Sequence, residues 1–378
     1  MRPAHTVICT VGTSLFRPNL AGLRADDPEP NRQALARAYA AGDWEAVATG
    51  LGTHGPTDRL CGAEINSLAS LVAKGYAAAD ANLVFCHSDT ADGQAIGRIL
   101  EVYFRRAGHS SAQARTITDL QDRDARLFRT RGLRNLAREV CKVIRDYGPP
   151  SCAINATGGY KAQIAVAVLM GQALGVPVYY KHELFDEIIA FPPMPVAFDF
   201  EAWMRISGLL TALEQEPQPA DELEDYPDDA ETIESLVNRE EVDGRDYLEL
   251  SATGQIFHET FRERFRTHRD HVLPPAVPSG QKKPPHFEDS GHMHAVRGLE
   301  AFLQKLTDQV PQVARCVTYY SHPSLPRPSR FWVNADGPVG QFSDGKALVK
   351  FRVETRATTR GQMAAVAAAL NDWLAQRN

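Results

Sequence analysis

No run of residues reaches the roughly 18 consecutive apolar positions that a membrane-spanning helix needs. The opening MRPAHTVICTVG also lacks the basic-then-apolar layout of a signal peptide. These absences set the expectation of a cytoplasmic protein with no membrane partner. The six cysteines form no CxxC pair and fall mostly inside apolar segments. They read as small buried hydrophobes in a reducing compartment, not as a zinc site or a disulfide framework. Two nucleotide signatures are missing: there is no GxxxxGK[ST] and no GxGxxG, so neither a P-loop nor an ordinary nicotinamide site is expected. His286, His292 and His294 have no companion residues at ligand spacing, and no metal is expected.

Charge is present, and unevenly. Residues 1–261 carry 24 Lys+Arg against 37 Asp+Glu, a balance of −13, whereas residues 262–378 carry 17 against 10, a balance of +7. An acidic front and a basic back suggest two jobs, with a polyanion as partner of the back. At roughly 100–200 residues per domain, 378 residues allow two or three domains.

The front alternates strand and helix patterns. Apolar, β-rich runs lie at residues 6–11 (TVICTV), 82–87 (NLVFCH), 115–118, 151–156 and 176–181 (VPVYYK), with helical patterns at 64–79, 93–107, 125–147 and 160–174. Residues 18–58 form an insertion, expected to be helical over 31–49. Continuous apolar strands alternating with helices predict a doubly wound, Rossmann-like α/β domain. Ligands of such sheets bind beyond the carboxyl ends of the strands. Three loops leave there: Gly12, Thr13, Ser14 and Leu15 after the first strand, Ser88, Asp89 and Thr90 after the second, and Asn155, Thr157, Gly158, Gly159, Tyr160 and Lys161 after the fourth. Small hydroxyl residues and glycine suit contacts with phosphates, riboses and base edges. Lys161 adds a point charge at the start of a helix, where phosphate is already favoured. Each loop also reads as a plain helix cap or tight turn.

The pairing of TVGTSL with NATGGYK, followed by residues 183–199 (ELFDEIIAFPPMPVAFD), resembles the CARF family of CRISPR-associated Rossmann-fold sensors. The resemblance covers about the first 200 residues; the long insertion departs from it. It implies a homodimer that binds a cyclic oligoadenylate across its two-fold axis, cyclic tetra-adenylate foremost, on the loops just named.

Residues 214–249 hold 15 acidic and two basic residues. A helix is expected over 230–238, then DYLELSATGQIFHETFRERFRTH as strand, turn and amphipathic helix. The segment resembles a winged helix-turn-helix. Its acidity argues against DNA binding and for a spacer or dimerisation role. The stretch 274–285 (PPAVPSGQKKPP) reads as a linker.

The basic end shows a helix at 295–306, strands at 314–322, 330–336 and 347–355, and a closing helix at 362–376. In ALVKFRVET, Ala347, Val349, Phe351 and Val353 share one face, and Lys350, Arg352 and Glu354 the other. Arg330, Trp332 and Asn334 separate likewise from Phe331 and Val333. A small sheet with a cationic, solvent-facing side is expected. Such a domain resembles the RelE family of mRNA interferases, in fold pattern and composition only. That resemblance implies metal-independent cleavage of mRNA in the ribosomal A site by 2′-OH attack. By position it points to Arg330, Lys350, Arg352, Arg356 and Arg360 as phosphate-holding cations, and to Tyr319, Tyr320 and His322 as stacking or proton-moving groups. The expected layout is therefore a cyclic oligoadenylate sensor (1–199), a winged-helix-like connector (200–272) and a small α+β RelE-like ribonuclease (273–378). Two rival readings stay open. Arg262 to His268 and Arg266 to His271 match the Arg-x4–6-His spacing of HEPN ribonucleases, although the proline-rich and strand-like sequence beyond them does not suit a helical HEPN domain. A ligand-controlled transcription factor would use the winged helix instead.

Overall fold

The structure is a computed structural model that describes residues 2–109, 111–182, 185, 187–194, 199–288 and 296–377. His292 and His294, and parts of the 183–199 stretch, lie outside the described residues. The chain divides into two compact units, one of residues 1–197 with 251–256, the other of 198–250 with 257–378.

In the first unit a six-stranded sheet is built from β1 (Ala4–Thr10), β2 (Ala77–Ser88), β3 (Ala112–Ile117), β4 (Cys152–Asn155), β5 (Val178–Lys181) and β6 (Ile188–Phe191). Its order is β3-β2-β1-β4-β5-β6, parallel except for β6. The helices are α1 (Pro30–Ala41), α2 (Trp44–Leu51), α3 (Gly62–Ala73), α4 (Ala91–Arg106), the single turn α5 (Ala125–Leu127), α6 (Leu133–Tyr147) and α7 (Lys161–Leu174). Both faces are covered over the inner strands, which is why β1, β4 and the second half of β2 are buried and largely apolar, while the edge strands β3 and β6 keep exposed residues. Val7, Cys9, Leu83 and Phe85 enter one hydrophobic cluster, while their neighbours Ile8, Val84 and Cys86 enter the other. The expected doubly wound α/β fold is what forms here.

Two boundaries differ from the sequence pattern. The helix expected to run to residue 79 stops at Ala73, because Gly75 turns at φ +73° and Ala77 pairs with Ala4 as strand. The single helix expected at 31–49 is two helices, broken at Gly42 with φ +68°. All six cysteines are buried and unbridged.

The second unit contains α8 (Phe200–Gln215), β7 (Gln218–Pro219), α9 (Ala230–Leu236), β8 (Val237–Val242), β9 (Arg245–Leu250), α10 (Ala252–Val272, apart from its first residues), β10 (His286–Phe287), α11 (Leu299–Gln309), β11 (Val313–His322), β12 (Arg330–Asn334), β13 (Gly337–Ser343), β14 (Leu348–Thr355) and α12 (Arg360–Ala375). A three-stranded antiparallel sheet, β7-β9-β8, accompanies a five-stranded sheet, β10-β11-β14-β13-β12. The strand β13 (GPVGQFS) was not expected from its sequence. Residues from 203 to 370 share one hydrophobic cluster, so the segments expected as connector and as small end domain contribute to a single core. The edge strand β12 is pinned by α12: Asn371 accepts from the Phe331 N–H and donates to its carbonyl, both at 2.9 Å. No helix among the described residues is long and apolar enough to cross a membrane.

Candidate functional site

The strand order of the first unit reverses at β1, whose neighbours are β2 and β4. A crevice opens beyond the carboxyl ends at such a point. The loops after β1 and β4 meet there, held by an interlocked backbone. A Cβ on Gly12 would lie 2.6 Å from the Gly159 nitrogen, and one on Gly158 would lie 2.0 Å from Glu64 Oε1 and 2.9 Å from the Gly12 nitrogen. Gly159 has φ +104°, a left-handed backbone that side chains resist. The Thr10 hydroxyl donates to the Gly158 carbonyl at 2.5 Å. The glycines therefore let two loops approach each other, a closer requirement than approach to a ligand.

Beneath them sits Glu64 on α3, which the sequence pattern did not single out. It is 1% exposed and accepts the Gly12 N–H at 2.7 Å. Its Oε2 has no hydrogen-bond partner among the described residues. Burial raises its carboxyl to about 7, against the pull of its backbone hydrogen bonds.

The remaining expected ligand residues separate into ties and exposed groups. Asn155 is buried; its amide donates to Ser67 Oγ at 2.8 Å and its oxygen accepts from Thr157 at 2.6 Å. Thr157 Oγ in turn accepts the Lys181 N–H at 3.0 Å. Leu15 is fully buried, and Ser14 Oγ accepts from the Ala63 N–H. Ser88 is buried and meets Thr90 Oγ1 at 2.8 Å, and Thr90 caps α4 through Gly93 N–H. Tyr160 precedes α7, and its N–H donates to Gln163 Oε1 at 2.6 Å. Its phenol reaches Ser88 and Asp122, linking two loops, and burial raises its pKa. Exposed at this edge are Thr13, Asp89 and Lys161. A second cation, Lys181 at the end of β5, donates to Ser70 Oγ at 2.9 Å. Beside Asp89 and Thr90 lies a cavity of about 350 Å³, shared with Gln121, Arg123, Asp124 and Leu127. Groups at the edge that remain open to an anionic ligand are thus fewer than the sequence suggested, and Lys161 leads them.

In the second unit the five-stranded sheet aligns Arg330, Gln341, Lys350 and Tyr320 as successive cross-strand partners on β12, β13, β14 and β11. Cross-strand partners share a face, so three of the expected residues stand in one row. Trp332, Val339 and Arg352 form a second row on that face, while Phe331, Gly340 and Phe351 point to the other.

The face is not the open cationic surface that was expected. Arg330 is 1% exposed and pairs closely with Glu222, itself fully buried. Burial lowers the Arg330 guanidinium to about 9, still charged at neutral pH. Lys350 binds both carboxylate oxygens of Asp225 at 2.6 and 2.9 Å, and lies over the Tyr320 and Trp332 rings at 5.8 and 5.4 Å. The acidic turn 220–229 covers this part of the sheet. It is a packed element of the second unit, where the sequence had suggested a spacer.

Arg352 pairs with Glu288 at 2.7 Å and reaches over Tyr319. Arg356 donates to Gln281 at 2.7 Å, and Arg360, first residue of α12, pairs with Asp228 at 2.5 Å. Tyr319 and Tyr320 are exposed, and His322 Nδ1 accepts from the Ser324 N–H at 3.2 Å. The row thus brings together Arg330, Lys350 and Tyr320, with Arg352 one row away; Arg356 and Arg360 lie beyond the strand, and His322 at the end of β11. Gln341, in the middle of the row, is a member that the sequence pattern missed. Arg327, ahead of β12 and paired with Asp221 at 2.7 Å, is a cation beside the row that the sequence pattern also missed.

The HEPN-like spacings fall on α10, where Arg262 is held by Glu214 at 2.8 Å and Glu259 at 2.6 Å. Beyond α10 the chain forms a sheet flanked by single helices, not the helical bundle a HEPN site needs. Among the described residues no three His, Cys, Asp or Glu side chains group as a metal site.

Residues 59–194 match the model of a family described as CRISPR-associated protein (Cas_APE2256). The matched stretch lies in the first unit and includes Glu64 and the loops after β2 and β4. A search of curated proteins returns no match. Among solved structures the chain is similar to Can2 from Sulfobacillus thermosulfidooxidans in complex with cyclic tetra-adenylate, at 10% identity and a TM-score of 0.24. That alignment covers 71% of this chain and 66% of Can2, just under two thirds of the latter.

Proposed function

We propose that this protein is a CRISPR-associated effector whose first unit senses a cyclic oligoadenylate and whose second unit cuts RNA. The observation that carries the reading is the meeting of the Gly12 and Gly158–Gly159 loops at the strand-order reversal, with the second loop inside the CRISPR-associated segment. In this reading residues 1–199 are a CARF sensor, 200–272 a winged-helix-like connector and 273–378 a RelE-like ribonuclease. The sensor acts as a homodimer, because a two-fold ring needs two copies of the same loops. Lys161 and the helix terminus it begins meet ring phosphates. Thr13 and the Asp89–Thr90 edge face riboses and bases.

The ribonuclease reading rests on the Arg330, Lys350 and Tyr320 row, flanked by Arg352. The RNA 2′-oxygen bonds to the adjacent phosphorus and loses its proton. The bond from phosphorus to the 5′-oxygen breaks, and that oxygen leaves with a proton. Lys350, Arg352 and Arg330 stabilise the charge that builds on the phosphate. Tyr320 and His322 are the groups positioned to move protons. With no strong base evident, the substrate's own geometry must be imposed from outside, which favours mRNA held in an open ribosomal A site.

The test is cleavage of a defined mRNA, read by primer extension, with each ring size of cyclic oligoadenylate and with or without ribosomes stalled at an open A site. Cleavage only with activator and ribosome supports the reading. Equal, rapid cleavage of naked RNA refutes the ribosome-dependent mechanism. Cleavage of neither, with tight binding to a DNA duplex, refutes the ribonuclease.

A further inference from the structure

Four of the six acids of the 220–229 turn each meet a cation on the sheet face or just beside it. Arg327 contacts Asp221 at 2.7 Å and Glu222 at 3.3 Å; Arg330 contacts Glu222 closely and Asp225 at 3.7 Å. Lys350 contacts Asp225 at 2.6 Å, and Arg360 contacts Asp228 at 2.5 Å. Four carboxylates from eight consecutive positions thus neutralise four cations that the chain delivers from more than 100 residues away.

As a means of holding the fold this arrangement is poor. Buried ion pairs repay their desolvation badly, and well-packed apolar residues commonly do as well or better. As a means of occupying an anion site it is apt: carboxylates spaced along a short turn present the charge that an RNA backbone would. Within the turn the backbone ties are few, a 3-10 segment at 220–225 and bonds from Tyr226 N–H to Leu223 and from Asp229 N–H to Tyr226. Its far end is fixed by the buried Asp229, which Arg205 of α8 holds at 2.7 Å, so Asp229 is the hinge and 221–228 the part that moves. Tyr226, packed near Trp332, anchors it over the sheet.

We propose that the turn 220–229 is an intramolecular clamp that fills the RNA-phosphate site of Arg327, Arg330, Lys350 and Arg360, and that it must leave before RNA can enter. The inference rests on the ribonuclease reading above and deepens it. It names the regulation of that site and adds Arg327 to its cations. A ligand opens the clamp only to the extent that it binds the open form better than the closed one.

The test uses the full chain and the double variant Asp225→Asn/Asp228→Asn. Asp225 and Asp228 are chosen over Glu222 because Glu222→Gln would leave Arg330 buried without its counter-charge. The control Glu241→Gln/Asp243→Asn removes the same charge from the β8–β9 hairpin, which belongs to the three-stranded sheet. The probe is a fluorescently labelled 20-nucleotide single-stranded RNA read by anisotropy over a salt series. Amide exchange is followed at residues 222–229. The clamp variant is expected to bind at least about tenfold tighter than wild type. Its log–log salt slope should be steeper by about 1.4, the value for two newly available cations on a single strand, and its 222–229 amides should exchange faster. The control should match wild type in all three.

Equal tightening in both variants overturns the proposal in favour of bulk charge. Unchanged binding and unchanged exchange overturn the clamp alone, since cleavage by the activated wild type is measured separately. Faster exchange without RNA binding shows a turn that opens over something other than an RNA site. It refutes RNA as the occupant and with it the clamp, while the ribonuclease reading is decided by the cleavage assay. A third variant, Lys350→Ala added to the clamp variant, should lose most of the tightening and bring the salt slope back to about 0.7 above wild type, the share of Arg360 alone; an affinity and slope unchanged from the clamp variant place the RNA elsewhere and overturn the proposal.

Discussion

Replacing Glu64 by Gln should make the first unit more stable at neutral and alkaline pH, and by an amount that the structure fixes. The carboxyl is fully buried beneath the Gly12 loop, one oxygen bonded to the Gly12 N–H and the other without a partner among the described residues. Burial carries it from an ordinary 4.5 to about 7. At 1.36 kcal/mol per pH unit this is worth about 3 kcal/mol, to order of magnitude. The sign follows from proton linkage: a folded-state value above the unfolded one means that the folded protein holds the proton more tightly. The associated stability is complete below about pH 4.5, declines as pH rises, and is gone above about 7. Gln keeps the oxygen that accepts from Gly12 and never ionises. The stability difference between variant and wild type should therefore grow from near zero at pH 4.5 to about 3 kcal/mol at pH 8. The neighbouring Cys9 thiol is raised well above its ordinary value by burial and by Glu64, so it stays neutral throughout this window. Urea titrations at each pH, with β1 and β4 peptides followed by hydrogen-exchange mass spectrometry, provide the measurement. Parallel pH curves for the two proteins would refute the reasoning.

Three further outcomes are expected. Gly158→Ala must push a methyl group against Glu64 Oε1 and the Gly12 nitrogen; it should cost about 1–3 kcal/mol of first-unit stability and weaken cyclic oligoadenylate binding, and calorimetry showing unchanged affinity would count against the loop assignment. Lys161→Ala should lower that affinity by about one to two decades through loss of a charge-assisted bond with melting unchanged, whereas Asn155→Ala, which cuts the ties to Ser67 and Thr157, should show mainly in thermal stability. Lys350→Ala should slow RNA cleavage about 100- to 1,000-fold while leaving activator binding intact, and EDTA should leave the wild-type rate unaltered; inhibition by EDTA would require a metal nuclease.

The first unit was legible because its strands are buried on both sides and its helices are not. That contrast writes itself into the sequence as apolar runs separated by helical periods. The loops at the carboxyl edge were legible for the same reason, since a strand's end locates its loop. Glu64 was not. On α3 it occupies what reads as an ordinary polar position, and its burial is decided by Gly12 and Gly158, which arrive from other strands. The strand β13 was hidden by its glycines, which read as turn signals. Yet a Cβ on Gly340 would lie 2.6 Å from the Phe351 ring and 2.7 Å from that of Phe331. The glycine makes room for rings from both neighbouring strands, a requirement visible only once the register is known.

The charge asymmetry invites a similar correction in physical terms. Counted along the chain, an acidic front precedes a basic back, as if the back were free to meet a polyanion. Counted in space, Arg327, Arg330, Lys350 and Arg360 are already met by Asp221, Glu222, Asp225 and Asp228. Salt alone will not undo this evenly. The pair of Arg360 with Asp228 is solvent-exposed and screened over about 8–10 Å at ordinary ionic strength. The pair of Arg330 with Glu222 is buried, and little screening reaches it. Raising salt should therefore loosen the Asp228–Arg360 contact alone, leaving the Glu222 end closed and Asp229 still held by Arg205. Only an interaction that favours the open arrangement over the closed one can release all four cations together. That requirement makes opening of the turn a matter of differential binding to its two arrangements.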